Sequence, residues 1–108
     1  MPKVIGKIHP AVLTDFKQMF KEGLKESASS GWYQVRVEWL SNGLPYPVQS
    51  HDVVNGFEMK LLDEFGIRWI FGWREPANLL VLFGAKTQRS EPVDSALAMV
   101  RDRVEGWT

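Results

Sequence analysis

Apolar side chains recur every three or four positions near the start of the chain. Pro10 suits the first turn of a helix, where its missing N–H costs nothing. The spacing predicts an amphipathic helix over about residues 10–26, with one face on a core, and a short edge strand at residues 4–8 ahead of it. The apolar stripe of this helix consists of Val12, Leu13, Phe16, Met19, Phe20 and Leu24.

Residues 32–40 satisfy two periodicities at once. Alternation of apolar and polar positions indicates a strand, and the β-branched content favours that interpretation. Tyr33, Val37 and Leu40 also lie at helical spacing, so a helix remains open. Two prolines close behind, Pro45 and Pro47, predict an extended connection because neither can donate a backbone hydrogen bond.

Three segments in the second half have the character of strands. Residues 57–61 follow Asn55-Gly56, a pair that tolerates left-handed backbone, and they alternate between apolar and polar positions. Residues 67–73 alternate likewise, and residues 79–83 are apolar throughout, as expected of a covered central strand. Since the connections are short, the pattern predicts a three-stranded antiparallel meander.

A final helix follows the meander. Pro92 lies near its first turn, and Gly106 marks its end. Its apolar stripe is Val93, Ala96, Leu97, Val100 and Val104. Together the segments predict one α+β domain spanning residues 1–108.

Composition narrows the class of protein. Apolar residues make up 44% of the chain and aromatic residues 12%, which is ample material for a core. The chain has no cysteine, so disulfides, thiolate metal sites and cysteine nucleophiles are excluded. No segment has the length or character of a leader or a membrane span, which predicts a cytoplasmic location. The 13 basic and 13 acidic residues balance, without the basic excess typical of nucleic-acid binders.

The alternation also predicts how the meander divides between two faces. Phe57, Met59 and Leu61 are expected to share the packed face with Ile67, Trp69 and Phe71. Four cations are then expected to converge on the opposite, polar face: Lys60, Arg68, Lys86 and Arg89. Such a cluster can hold a phosphodiester and stabilise developing negative charge. The alternative is a set of ordinary solvated charges on the open face of a one-sided sheet, which is common.

Other residues are weaker candidates for catalysis, metal binding or base stacking. His9 and His51 are the only histidines, each beside a turn, where a surface role is commonest. Asp63, Glu64 and Glu91 have turn or cap positions without the spacing of metal ligands, so neither a metal nor a cofactor is expected. Trp69 and Trp73 are expected in the core rather than stacked on bases.

The order of these segments resembles a known family. The runs Asn55-Gly56-Phe57-Glu58-Met59-Lys60 and Gly66-Ile67-Arg68-Trp69 come first, then Val81-Leu82-Phe83-Gly84-Ala85-Lys86-Thr87-Gln88 and a helix led by Pro92. This half of the chain, about residues 54–105, resembles toxins of the RelE/ParE superfamily, in particular the HigB-like, phage-associated branch of type II toxin–antitoxin systems.

The resemblance implies a fold and an activity. The family fold is α+β, with an N-terminal strand, two helices, a three-stranded antiparallel meander and a C-terminal helix, which would make residues 31–41 the second helix. The usual activity is metal-independent cleavage of messenger RNA on the ribosome. Lys60, Arg68, Lys86 and Arg89 would then be catalytic, with Lys60, Arg68 and Arg89 also binding substrate. A cognate antitoxin protein would be the partner.

Two other functional classes remain open on the sequence. One is a relative that is inactive or directed at gyrase. The other is an unrelated small α+β module that binds a ligand or a protein.

Overall fold

The computed structural model describes residues 5–24, 49–64, 66–75, 77–87 and 93–107. These ranges contain two helices and five strands. The elements in chain order are β1 (Ile5–Ile8), α1 (Ala11–Lys21), β2 (Gln49–Val54), β3 (Phe57–Glu64), β4 (Ile67–Arg74), β5 (Leu79–Thr87) and α2 (Val93–Glu105). No helix among the described residues is long and apolar enough to cross a membrane.

The strands form one mixed sheet in the order β1-β5-β4-β3-β2. Strands β2 to β5 are antiparallel neighbours, as expected where connections are short. Strand β1 pairs in parallel with β5, from Ile5 opposite Leu79 to Ile8 opposite Leu82. The β2–β3 turn is Asn55-Gly56, with φ of 49° and 77°. This left-handed backbone is what the Asn-Gly pair predicts.

The expected RelE-like arrangement is wrong. The described residues build a five-stranded mixed sheet with one N-terminal and one C-terminal helix, in place of a three-stranded meander behind a pair of helices. Strand β2 was not predicted at all. The expected second helix at residues 31–41 lies outside the described residues, as do both interpretations of residues 32–40.

Both faces of the sheet are packed, one by each helix. On the α1 face, Val12 and Met19 of α1 lie on a layer of large residues from β4 and β5: Ile67, Trp69, Phe71, Trp73, Leu80, Leu82 and Ala85. On the α2 face, Ala96, Val100 and Val104 of α2 lie on a second layer: Phe57, Met59, Leu61, Ile70, Val81 and Phe83. The predicted one-sided sheet with an open polar face is therefore wrong.

The predicted division of β3 and β4 between faces is also wrong. Leu61 lies opposite Ile70, and Leu62 lies opposite Trp69. Directly opposed residues share a face. Phe57, Met59 and Leu61 consequently belong to the α2 face, whereas Ile67, Trp69 and Phe71 belong to the α1 face. The residues on each strand alternate as predicted, but the phase between the two strands is shifted by one position.

Candidate functional site

A row of three charged residues crosses the sheet near the start of β4. Asp63 of β3 lies opposite Arg68 of β4, and Arg68 lies opposite Lys86 of β5. The alternation from Ile70 places this row on the α2 face, since residues two apart on a strand share a face. The next row, Leu61, Ile70 and Gly84, is apolar and lies under α2. The charged row thus borders the α2 core.

Arg68 is held in a fixed orientation within this row. Its Nε donates to Asp63 Oδ1 at 3.0 Å, and its Nη2 donates to Asp63 Oδ2 at 3.2 Å. Such a two-point pair fixes the guanidinium plane as well as its position. Arg68 is only 9% exposed, while the Asp63 side chain is 34% exposed. Lys86 is partly buried on the other side of Arg68. The row therefore combines a partly accessible carboxylate with two cations.

The structure does not bring all four predicted cations together. Lys60 lies opposite Phe71, so it points to the α1 face, away from Arg68 and Lys86. It is 5% exposed and pairs with Glu58 Oε1 at 3.3 Å. Arg89 lies outside the described residues. The predicted convergence therefore holds for the pair Arg68 and Lys86 and is wrong for Lys60.

A cleft of about 210 Å³ opens beside the C-terminal end of β5, between the two helices. Its walls come from Asp15, Gln18 and Met19 of α1, from Glu22 just after that helix, from Ala85, Lys86 and Thr87 of β5, and from Met99 of α2. Lys86 belongs both to this lining and to the charged row. The cleft therefore adjoins the Arg68–Lys86 pair at the β5 edge.

An ion pair between the two helices closes one side of this cleft. Arg103 of α2 donates from Nη1 to Asp15 Oδ2 at 2.6 Å and from Nη2 to Asp15 Oδ1 at 2.9 Å. The same Nη1 also donates to the Phe83 carbonyl oxygen at 2.9 Å, and the Ala85 N–H donates to Asp15 Oδ2 at 3.2 Å. Asp15 and Arg103 thus link α1, α2 and β5 at one point.

His9 lies next to this ion pair. Its ring packs between Phe83 and Trp107, with centroid distances of 6.2 and 6.1 Å. Burial lowers the pKa of His9, and the positive charge of Arg103 lowers it further, against the opposing effect of Asp15. His9 is therefore held toward its neutral form.

Sequence reasoning did not assign a site role to Asp63, Asp15 or Arg103. The pairing of Arg68 with Asp63 could be predicted from the sequence, because Asp63 lies only five residues away across a tight turn. Asp15 and Arg103 are 88 positions apart, and no local pattern relates them. No group of three or more His, Cys, Asp or Glu side chains in the described ranges is placed to hold a metal ion.

Comparisons with protein-family models, with curated proteins and with solved structures find no match to this chain.

Proposed function

We propose that this domain acts on RNA in the cytoplasm, as the metal-independent endoribonuclease of a toxin–antitoxin pair. The observation that supports the proposal is the cross-strand row of Asp63, Arg68 and Lys86. It places a carboxylate and two cations on one face of three adjacent strands. Those are the groups that RNA cleavage by an internal nucleophile requires in the absence of a metal.

The proposed reaction is attack of a ribose 2′-hydroxyl on the adjacent phosphorus. The 2′-oxygen bonds to phosphorus, its proton passes to Asp63, and the bond from phosphorus to the 5′-oxygen breaks. Protonation of that oxygen by solvent completes the cleavage and leaves a cyclic phosphate. Arg68 and Lys86 supply positive charge where negative charge grows on the phosphoryl oxygens. Asp63 also holds Arg68 in place before substrate binds.

The proposal assigns no catalytic role to Lys60. Its side chain lies on the α1 face, paired with Glu58, across the sheet from Arg68. The chain as a whole carries no net positive charge, so binding to RNA would depend on this local pair and on the context of the ribosome. The partner that this function implies is a small antitoxin protein covering the charged row.

Tightly induced expression in bacteria tests the proposal. The variants are the natural chain, Arg68→Ala with Lys86→Ala, and a control with Lys17→Ala and Lys21→Ala. The control removes the same number of positive charges from exposed positions of α1. We expect the natural chain and the control to stop growth and to reduce protein synthesis within minutes. The double variant at Arg68 and Lys86 is expected to lose at least about a hundredfold in RNA cleavage, as loss of charge-stabilising groups does.

Two results would contradict the proposal. One is normal growth and normal protein synthesis with the natural chain at high soluble yield. The other is unchanged toxicity of the Arg68 and Lys86 double variant. Circular dichroism of each purified variant shows whether loss of activity comes from loss of the fold, because removal of Arg68 leaves Asp63 without its partner.

A further inference from the structure

Strand β5 extends beyond the strand that covers its outer edge. The last residue of β5 paired with β1 is Leu82, but β5 continues to Thr87. Along its other edge, β5 pairs with β4 over these last residues, up to Thr87 opposite Ile67. The outer edge of β5 from Phe83 onward therefore depends on something other than β1 for its hydrogen bonds.

Side chains take the place of a strand over the first part of this edge. Arg103 donates to the Phe83 carbonyl, and Asp15 accepts from the Ala85 N–H. In an antiparallel pair, opposed residues alternate between bonded and non-bonded positions. Because the Ala85 N–H points outward, its pair with Trp69 is a non-bonded one. The pair of Ile67 with Thr87, two positions on, is non-bonded as well.

The next backbone groups along the edge point away from β4. The alternation directs the Ala85 carbonyl and the Thr87 N–H outward, and the backbone–backbone hydrogen bonds of the described turns and loops involve neither group. The Thr87 hydroxyl is buried and also has no hydrogen-bond partner among the described residues. Ala85 and Thr87 both line the cleft of about 210 Å³. A buried hydroxyl without a partner and two outward backbone groups in one cleft favour a site that receives a partner.

We propose that the cleft binds an extended peptide segment of a partner protein, which adds a strand to the outer edge of β5 parallel to it and in line with β1. A residue placed opposite Lys86 in a parallel strand donates to the Ala85 carbonyl and accepts from the Thr87 N–H. One peptide residue thus bonds to both outward groups. An antiparallel strand opposite Ala85 would need the Ala85 N–H, which Asp15 already holds.

The side chains around the cleft specify the peptide. The residue opposite Lys86 shares its face, because opposed residues of paired strands point to the same side. The positive charge of Lys86 favours an acidic residue there. Its two neighbours point to the α1 side, where Gln18 and Glu22 line the cleft and favour polar or basic side chains.

Amide hydrogen exchange on the ¹⁵N-labelled protein tests the proposal. The probe is the blocked heptapeptide Ac-KVTETVK-NH₂, with Ac-KVTKTVK-NH₂ as the charge-reversed comparison. We expect the Thr87 amide to exchange at least about tenfold more slowly at saturating acidic peptide. The Lys86 amide, which the same alternation directs toward β4, is the internal control and stays unchanged. The charge-reversed peptide is expected to bind on the order of fivefold more weakly.

Two variants locate the site. Thr87→Pro removes the outward N–H without removing a bond to β4, and it is expected to abolish binding. Thr87→Val keeps the N–H and the branched shape, and it is expected to bind the peptide as the natural chain does. The proposal is overturned if the exchange rate of the Thr87 amide stays unchanged at acidic peptide concentrations well above about 1 mM. It is also overturned if Thr87→Pro binds the peptide as the natural chain does. Both measurements report on peptide binding and not on RNA cleavage, so failure of this proposal is distinguishable from failure of the proposed function.

Discussion

The side chain of His9 caps the start of α1. Its Nδ1 accepts a hydrogen bond from the Ala11 N–H at 3.1 Å, and its carbonyl accepts from the Val12 N–H at 3.0 Å. The first N–H groups of a helix lack partners within the helix, so these bonds satisfy two of them. Acceptance at Nδ1 requires the neutral ring with its proton on Nε2. Protonation of His9 would therefore remove a helix cap.

This bond predicts a dependence of stability on pH. The pKa of His9 is lowered on folding, chiefly by burial and then by Arg103, whereas an unfolded histidine titrates near 6.5. As pH falls below about 6.5, the unfolded chain binds a proton that the folded chain resists, so the free energy of unfolding decreases until the folded pKa is passed. Above that range His9 contributes no pH dependence.

Urea unfolding at a series of pH values between 5 and 8 measures the effect. His9→Asn keeps a side-chain acceptor for the Ala11 N–H but does not titrate, so we expect a shallower loss of stability toward pH 5 than in the natural chain. His9→Ala lacks the acceptor and is expected to cost about 1 kcal/mol at pH 7.5. Parallel pH curves for the natural chain and His9→Asn would contradict this account of His9.

The sequence identified charged residues more readily than their partners. The sequence predicts that Arg68 and Lys86 share a face, and they are opposed in the sheet, but the expected placement of Lys60 on the same face is wrong. A shift of one residue in strand pairing exchanges the two faces of a strand. The alternation along each strand is correct, but it does not fix the register between β3 and β4, and for that reason the expected face of Lys60 is wrong.

At the β5 edge, the two helices together cover backbone groups that β1 does not reach. Exposed strand edges invite pairing with other chains, and charged side chains are a common protection. Asp15 and Arg103 provide it here by binding Ala85 and Phe83. Their side chains are 9% and 19% exposed, so the ion pair is largely removed from water. Removal of either partner leaves the other charge and a backbone group without a hydrogen-bond partner.

A double-mutant cycle measures the coupling between Asp15 and Arg103. We expect Asp15→Asn and Arg103→Met each to lower the free energy of unfolding by roughly 2–4 kcal/mol, below the full cost of a completely buried pair. The double variant is expected to lose less than the sum, because it leaves no charge alone. The exposed pair Arg101–Glu105 on α2 is the matched control, and Arg101→Ala should cost at most about 0.5 kcal/mol. Additive losses at Asp15 and Arg103 would show that the two side chains act independently.

The elements themselves were predicted to different degrees. The meander, the N-terminal edge strand and both described helices follow from periodicity, although α1 ends at Lys21, earlier than the expected residue 26. Strand β2 was missed because its first residues, Gln49 to Asp52, are polar and lack alternation. It is an edge strand with an irregularity between Ser50 and Val53, and such strands have the weakest local signal.

The described part of the chain is a sheet between two helices, and its three layers are set by long-range contacts. Strands β1 and β5 pair across more than seventy positions, from Ile5 with Leu79 to Ile8 with Leu82. Local periodicity carries no information on such a pairing. One sequence pattern did predict a feature of the layered structure. Residues 79–83 are apolar on both sides, and β5 is packed on both faces. The alternation in the other strands indicated one buried face each, so the sequence did not predict a core layer on both faces of the sheet.

Contact between the sheet and α2 depends on a residue without a side chain. A Cβ on Gly84 would lie 2.5 Å from Val100 Cγ1 and 3.1 Å from Met99 Cε, closer than packed carbon atoms approach. The backbone at Gly84 is not left-handed, so alanine is excluded by α2 and not by its own conformation. Gly84 thus allows α2 to lie directly on β5, which brings Arg103 within reach of Asp15 on the other helix.

Gly84→Ala should therefore destabilise the protein by about 1–3 kcal/mol, the usual cost of an overpacked core. Val100→Ala alone should cost roughly 2 kcal/mol through the cavity that it leaves. In the double variant the new methyl group fills space vacated by Val100, so the combined loss in urea unfolding should fall short of the sum by at least about 1 kcal/mol. If the losses are additive, the close approach of α2 to Gly84 does not limit the packing. The distance between these two layers must then be set elsewhere, for example where Ala96 meets the sheet.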